Sequence, residues 1–98
     1  MKLQTTLPDR PKSTSVLVSS SGEIEEGSSV TLTCSSNANP PVQRYTWFKK
    51  TGDSSSWRGS GQSLTIWYIL SKDSGQYYCE AQNQQGAQTS TPVTIDVQ

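Results

Sequence analysis

The stretch Asp73-Ser74-Gly75-Gln76-Tyr77-Tyr78-Cys79, read together with Cys34 and Trp47 upstream of it, decides the fold. Successive residues of a strand point to opposite faces, so Tyr77, Cys79 and Ala81 share one side of a strand that begins near Gln76. The same alternation puts Val30, Leu32 and Cys34 on one side of an earlier strand. If both sides look inward, the two sulfurs can meet between sheets packed about 10 Å apart. Trp47 lies in Tyr45-Thr46-Trp47-Phe48, a strand between the cysteines in sequence, and its indole would fill the middle of such a sandwich. Tyr77, two residues before Cys79, is placed to tie its hydroxyl to upstream backbone. Asp73 and Gly75 supply the turn into its strand.

The chain has 98 residues, enough for one domain with one modest core. Only 31% of them are hydrophobic, so a covalent staple would help. Closing a loop of about 45 residues with a disulfide is worth roughly 4 kcal/mol on chain-entropy grounds. A pair of buried thiols is the alternative to that bridge. Half of a metal site is a poor one, because structural zinc takes about four ligands and the chain has no His and no third Cys. Neither a metal nor any other cofactor is expected. A real bridge implies an oxidising, extracellular setting. The eight basic and eight acidic residues cancel, and no basic stripe invites nucleic acid. No apolar run approaches the length of a membrane span, and Met1–Thr6 lacks the apolar core of a signal peptide. The domain therefore reads as a fragment of a longer ectodomain that does not itself insert in a membrane.

Residues 1–12, with Pro8 and Pro11 and little apolar pattern, read as a linker or appended segment, and residues 13–98 as the domain. Val16 and Val18 mark a first strand, broken by Ser19-Ser20-Ser21-Gly22. Strands follow at Ser29–Ser35 and Tyr45–Lys49, with Asn37–Pro41 as a loop between them. Thr51–Gln62 reads as connecting chain with room for one short strand around Ser56–Arg58. Ser63–Trp67, Gln76–Gln82 and Ala87–Val97 complete the set. Ile69 plugs a turn, and Asn83-Gln84-Gln85-Gly86 makes a hairpin in which Gly86 is free to take positive φ. The expectation is all-β: two antiparallel sheets in a Greek-key sandwich of about seven strands. Leu32, Trp47, Leu64, Ile66 and Tyr77 would lie in its core, with Asp73 and Gly75 at the corner.

These residues resemble the immunoglobulin superfamily. The runs Gly22–Cys34, Ala38-Asn39-Pro40-Pro41-Val42, Tyr45-Thr46-Trp47-Phe48-Lys49-Lys50, Gly61–Ile66 and Asp73–Asn83 look like a constant-type (C2/I-like) repeat of a siglec-type B-cell co-receptor. The resemblance spans about Thr14 to Val97. It implies an extracellular domain of a multi-domain plasma-membrane receptor, with neighbouring immunoglobulin domains as partners and a role in adhesion or immune recognition. In those receptors a terminal variable-type domain reads sialic acid with an Arg on the strand of the second cysteine, paired bidentately to the sugar carboxylate. Here that strand, Gln76–Gln82, has no Arg, and Arg44 and Arg58 match no motif. The domain therefore looks like a spacer and not a lectin. Trp67-Tyr68 departs from the family, which usually has small polar residues there.

Phe48 and Tyr78 point away from Trp47 and Cys79, so their rings can lie together on an outer face. Aromatic residues are favoured at interfaces, which makes this pair a candidate surface for a protein ligand. A local aromatic pair is the plainer reading. Trp67 and Tyr68 at a strand end would touch an adjacent domain or a dimer mate, or pack under the N-terminal segment, and Trp57 is a loop anchor or a lid. The polar tip Gln82–Gln85 could hydrogen-bond a ligand, as loops on a rigid scaffold do; a solvated turn is the plainer reading. Catalysis is poorly served, because no His is available as a base and serines without a base are weak nucleophiles. An intracellular module of the same fold without a bridge is a further alternative.

Overall fold

The computed structural model describes residues 7–20 and 23–98. Met1–Thr6 and the Ser21–Gly22 part of the expected break lie outside them. Eight strands form two antiparallel sheets: β1 Asp9–Val18, β2 Val30–Asn39, β3 Arg44–Thr51, β4 Ser54–Ser60, β5 Ser63–Ile66, β6 Gly75–Asn83, β7 Gly86–Thr89 and β8 Val93–Ile95. One sheet has the order β1-β2-β5; the other runs β4-β3-β6-β7, with β8 also on β6. A 3-10 turn, Ser71–Asp73, leads into β6.

The inner faces are those that alternation predicts. Val30, Leu32 and Cys34 are buried on β2, and Tyr77, Cys79 and Ala81 on β6. Trp47 sits opposite Cys79 in the β3–β6 register and is fully buried. Its indole N–H donates to Gly61 O at 2.9 Å, so the one polar atom of the ring is satisfied. Cys34 and Cys79 are bonded, with Cα atoms 6.2 Å apart. The bridge joins β2 and β6, each an interior strand of its sheet. Ile69, Ile95, Val97 and Ile24 close the core. Ile24 makes a parallel bridge with Val97, so the chain after β1 crosses to the edge of the second sheet.

Several elements differ from the sequence reading. Strand β1 starts at Asp9, before the Val16–Val18 alternation, so the last part of the segment read as linker belongs to a strand. Pro11 is fully buried there. The strand pairs with β2 across two register shifts, which is why no clean alternation marks it. Strand β2 runs on to Asn39, into the segment read as a loop. The Ser/Gly-rich connection is a seven-residue strand, β4, on the edge of β3. Its residues are mostly exposed, and an exposed edge strand carries no hydrophobic period to read. Strand β5 stops at Ile66, short of Trp67. The final strand is split into β7 and β8 around Pro92, which has no N–H for the ladder.

Asn83 is the main surprise. It is buried, and its amide donates to Asp9 O at 2.9 Å and Pro40 O at 2.8 Å while its carbonyl accepts from Gln85 N at 2.9 Å. One side chain thus ties the start of β1, the β2–β3 loop and the β6–β7 hairpin. Period-two counting from Cys79 through Ala81 already points residue 83 inward; the polar tip around it hides the signal.

The bridge and the Asn83 clamp should be separable in solution. Replacing both cysteines by Ala should lower unfolding free energy by about 4 kcal/mol. Asn83→Ala takes the amide donor from the part-buried Asp9 and Pro40 carbonyls and should cost about 1–3 kcal/mol with the bridge intact. Urea titrations of the three proteins check both values.

Candidate functional site

The outer face of the β4-β3-β6 sheet carries the half-buried Phe48 and Tyr78 and the exposed Trp57. Register sets Phe48 opposite Trp57 on one side and Tyr78 on the other. Residues directly opposite in antiparallel strands share a face, so the three rings form a row across three strands. Phe48 and Tyr78 stack, with centroids 5.2 Å apart and planes 21° from parallel. Tyr78 Oη donates to Ser55 Oγ at 2.8 Å, which fixes the phenol over β4. Trp57, at 65% exposure, is the open end of the row. It stands in strand β4, which contains the short strand expected around Ser56–Arg58, and is neither a loop anchor nor a lid. A shallow hollow of about 240 Å³ adjoins the row, lined by Lys50, Ser55, Tyr78, Thr89, Ser90 and Pro92. Toward the far end of the same face Arg44 pairs with Gln82, and these two line a second hollow with Gln43. The row offers an apolar strip with donors and acceptors at its margins, a surface fit for a protein partner.

The corner that holds β6 in place lies at the opposite end of the sheet. Tyr77 Oη donates to Asp73 O at 2.6 Å. The Asp73 carboxylate accepts from Leu70 N at 2.8 Å, so the turn and the phenol lock each other. Gly75 takes φ 147, and a Cβ there would come within 2.8 Å of the Lys49 side chain. Lys49 Nζ itself donates to Lys72 O at 2.9 Å and lies 5.9 Å from the Tyr77 ring centre. The Tyr77 hydroxyl is pushed above the ordinary phenol range, first by burial and then by the Asp73 charge, with Arg58 opposing.

Trp67 and Tyr68 are 76% and 71% exposed, so neither packs under a neighbouring segment of the described chain. Tyr68 takes φ 49, unusual for a large side chain. The backbone beside it is pinned, with Gly27 N–H donating to Ile69 O and Ile69 N–H to Ser28 O, each at 2.8 Å. The ring is thereby presented at the end of the sandwich, beside Gly27. Thus Phe48, Tyr78 and Trp57 come together, while Trp67 and Tyr68 form a separate patch. Among the described residues no cluster of three or more His, Cys, Asp or Glu is arranged to hold a metal ion.

A bridged two-sheet sandwich with a buried tryptophan on the bridge and a tyrosine corner defines an immunoglobulin-type domain. The family model for the immunoglobulin domain matches residues 10–83, and the chain belongs to that family. It is 36% identical over 87 residues to B-cell receptor CD22 of Mus musculus, covering 89% of this chain and 10% of that protein. To vascular cell adhesion protein 1 of Homo sapiens it is 39% identical over 74 residues, covering 74% of this chain and 10% of the relative. The chain therefore spans about a tenth of the length of the curated relatives it matches. In structure it superposes on the mouse nectin-like molecule 4 ectodomain (Ig1–Ig3) with TM-score 0.74 at 27% identity, covering 92% of this chain and 31% of that one. The N-terminal four immunoglobulin domains of Dscam1 share the fold, with TM-score 0.68 at 20% identity, covering 90% and 21%.

The corner makes a pH prediction. A phenol whose folded pKa is raised contributes stability that is fully present below the unfolded value near 10 and is lost as pH rises through the folded value. Tyr77→Phe should cost about 0.5–1.5 kcal/mol at neutral pH through the lost hydrogen bond. Its stability should also fall less steeply than the parent's above about pH 10. Thermal melts across the alkaline range give both numbers.

Proposed function

We propose that this chain is an extracellular immunoglobulin-like domain of a multi-domain cell-surface receptor, serving as a stiff spacer and scaffold in cell adhesion or immune recognition. The observation that carries the reading is the match to a receptor and an adhesion protein about ten times its length, over most of this chain. The bonded sulfurs support an oxidising compartment and weigh against the unbridged intracellular alternative. A brace between interior strands suits a unit that transmits position from one neighbouring domain to the next. Binding and architecture, not catalysis, are the roles assigned. The lectin alternative is disfavoured, because the strand of the second cysteine presents Gln76, Tyr78, Glu80 and Gln82 on its outer face and no Arg.

A second reading, direct binding of a protein ligand, rests on the outer aromatic row. Stacked rings beside an exposed indole have the composition of an interface centre.

The chain unfolded without reductant should show no free thiol, and two free thiols would remove the extracellular assignment. As a spacer, it should show no saturable binding tighter than about 100 µM to cell-surface ectodomains in a biolayer screen. Saturable micromolar binding that weakens about thirtyfold or more in Trp57→Ala or Phe48→Ala would transfer the role to the aromatic row. Robust binding to a sialoside array would restore the lectin.

A further inference from the structure

The sandwich has four strand edges, and three of them are blunted. Strand β1 carries Pro11, the left-handed Ser13 at φ 55 and two register shifts. Strand β4 carries Arg58 and a register shift at Gly59–Trp57 against β3. Strand β7 is flanked by β1, where Thr14 N–H and hydroxyl donate to Gln88 Oε1 at 3.1 and 2.8 Å and Arg10 lies against Gly86, and the chain after it is interrupted at Pro92. Such devices keep edges from pairing with other chains. Strand β5 is limited only by its length of four residues: Ser63-Leu64-Thr65-Ile66 is free of charge and proline, and its register with β2 is unbroken.

The backbone of β5 is also aimed outward. Cys34 N–H donates to Gln62 O at 2.9 Å, in the register that sets Leu32 opposite Leu64 and Val30 opposite Ile66. Antiparallel ladders alternate, so Leu64 and Ile66 spend their backbone groups on β2, and those of Ser63 and Thr65 face away from it. Leu64 and Ile66 are only half-buried, and together with Arg58, Trp67, Asp73 and Tyr77 they line an open hollow of about 320 Å³ along this flank.

We propose that β5 is a self-association edge, on which two copies of this domain pair antiparallel about a two-fold axis through Thr65. Opposed residues share a face, so this register sets Thr65 against Thr65 and the core-facing Leu64 against Ile66. It joins the two three-stranded sheets into one of six strands. Thr31 and Thr65 hydroxyls already lie 3.1 Å apart, and the pairing continues that ladder across the axis. A second copy is the occupant because the charges allow it. The outer face beside the edge is Ser63, Thr65, Thr31 and Thr33 with exposed Leu17, all uncharged. The hollow holds one charge of each sign, Arg58 and Asp73, so a two-fold copy brings opposite charges as well as like ones to the seam. The inference stands independently of the spacer reading.

Sedimentation velocity of the whole chain from about 10 µM to about 1 mM should show the mean mass rising toward that of a dimer, as expected of a short interface. Thr65→Lys places two ammonium groups on the axis and should weaken association by roughly tenfold or more. Its side chain is on the solvent side, so its melting temperature should stay close to the parent's. A hydrogen-bonded antiparallel pair has Cα atoms about 5.5 Å apart, within disulfide reach. Thr65→Cys should therefore oxidise to a covalent dimer about ten times faster than Ser56→Cys on the β4 edge. A chain that stays monomeric to about 1 mM overturns the proposal, whatever else the edge binds. Equal cross-linking rates for the two cysteine variants overturn it as well.

Discussion

The bond between Cys34 and Cys79 is the constraint on which the rest of the structure depends. It joins β2 and β6, which are interior strands of their sheets. Fixing two interior strands fixes every strand hydrogen-bonded to them: β1 and β5 through β2, and β3, β7 and β8 through β6. Trp47, registered beside Cys79, supplies the bulk that keeps the sheets at their spacing. Because the chain has little apolar residue to bury, such a brace does more here than it would in a larger core.

Inner faces were legible in the sequence and edges were not, for one reason. Val30-Leu32-Cys34 and Tyr77-Cys79-Ala81 alternate because a buried face favours apolar groups, and period two follows. The tyrosine corner was equally readable, since Asp73, Gly75 and Tyr77 each perform a task few other residues can. Strand β4 was nearly invisible because both its faces meet solvent and Ser satisfies that as well as any residue. Strand β1 was hidden by its register shifts. Asn83 was misread because a polar residue in a polar run looks solvated, although its parity put it inside.

The outer aromatic row was half legible. Parity placed Phe48 and Tyr78 on the outer face, and strand neighbourhood brought them together. Trp57 joins them only because β4 pairs with β3, a long-range fact that residues 51–62 do not announce. The indole is therefore part of a sheet surface whose backbone geometry is set by three strands. Surfaces on strands hold a more exact shape than surfaces on loops.

The molecule divides its roles by face. Inner faces set the fold and leave almost no freedom in residue type. The β4-β3-β6 outer face has spare positions, and there it concentrates rings. The outer face of β1-β2-β5 has spare positions too, and fills them with hydroxyls: Ser15 with Ser35, Thr31 with Thr65. The charges of this face, Asp9 and Lys12, pair with each other at the far end of β1; beside β5 the hydroxyl face is soluble without repelling its own copy, whereas a face of Lys or Glu would be soluble and repellent at once. Solubility alone would be met by either, so an uncharged flank beside an edge limited only by its length is what the proposed pairing of two copies requires.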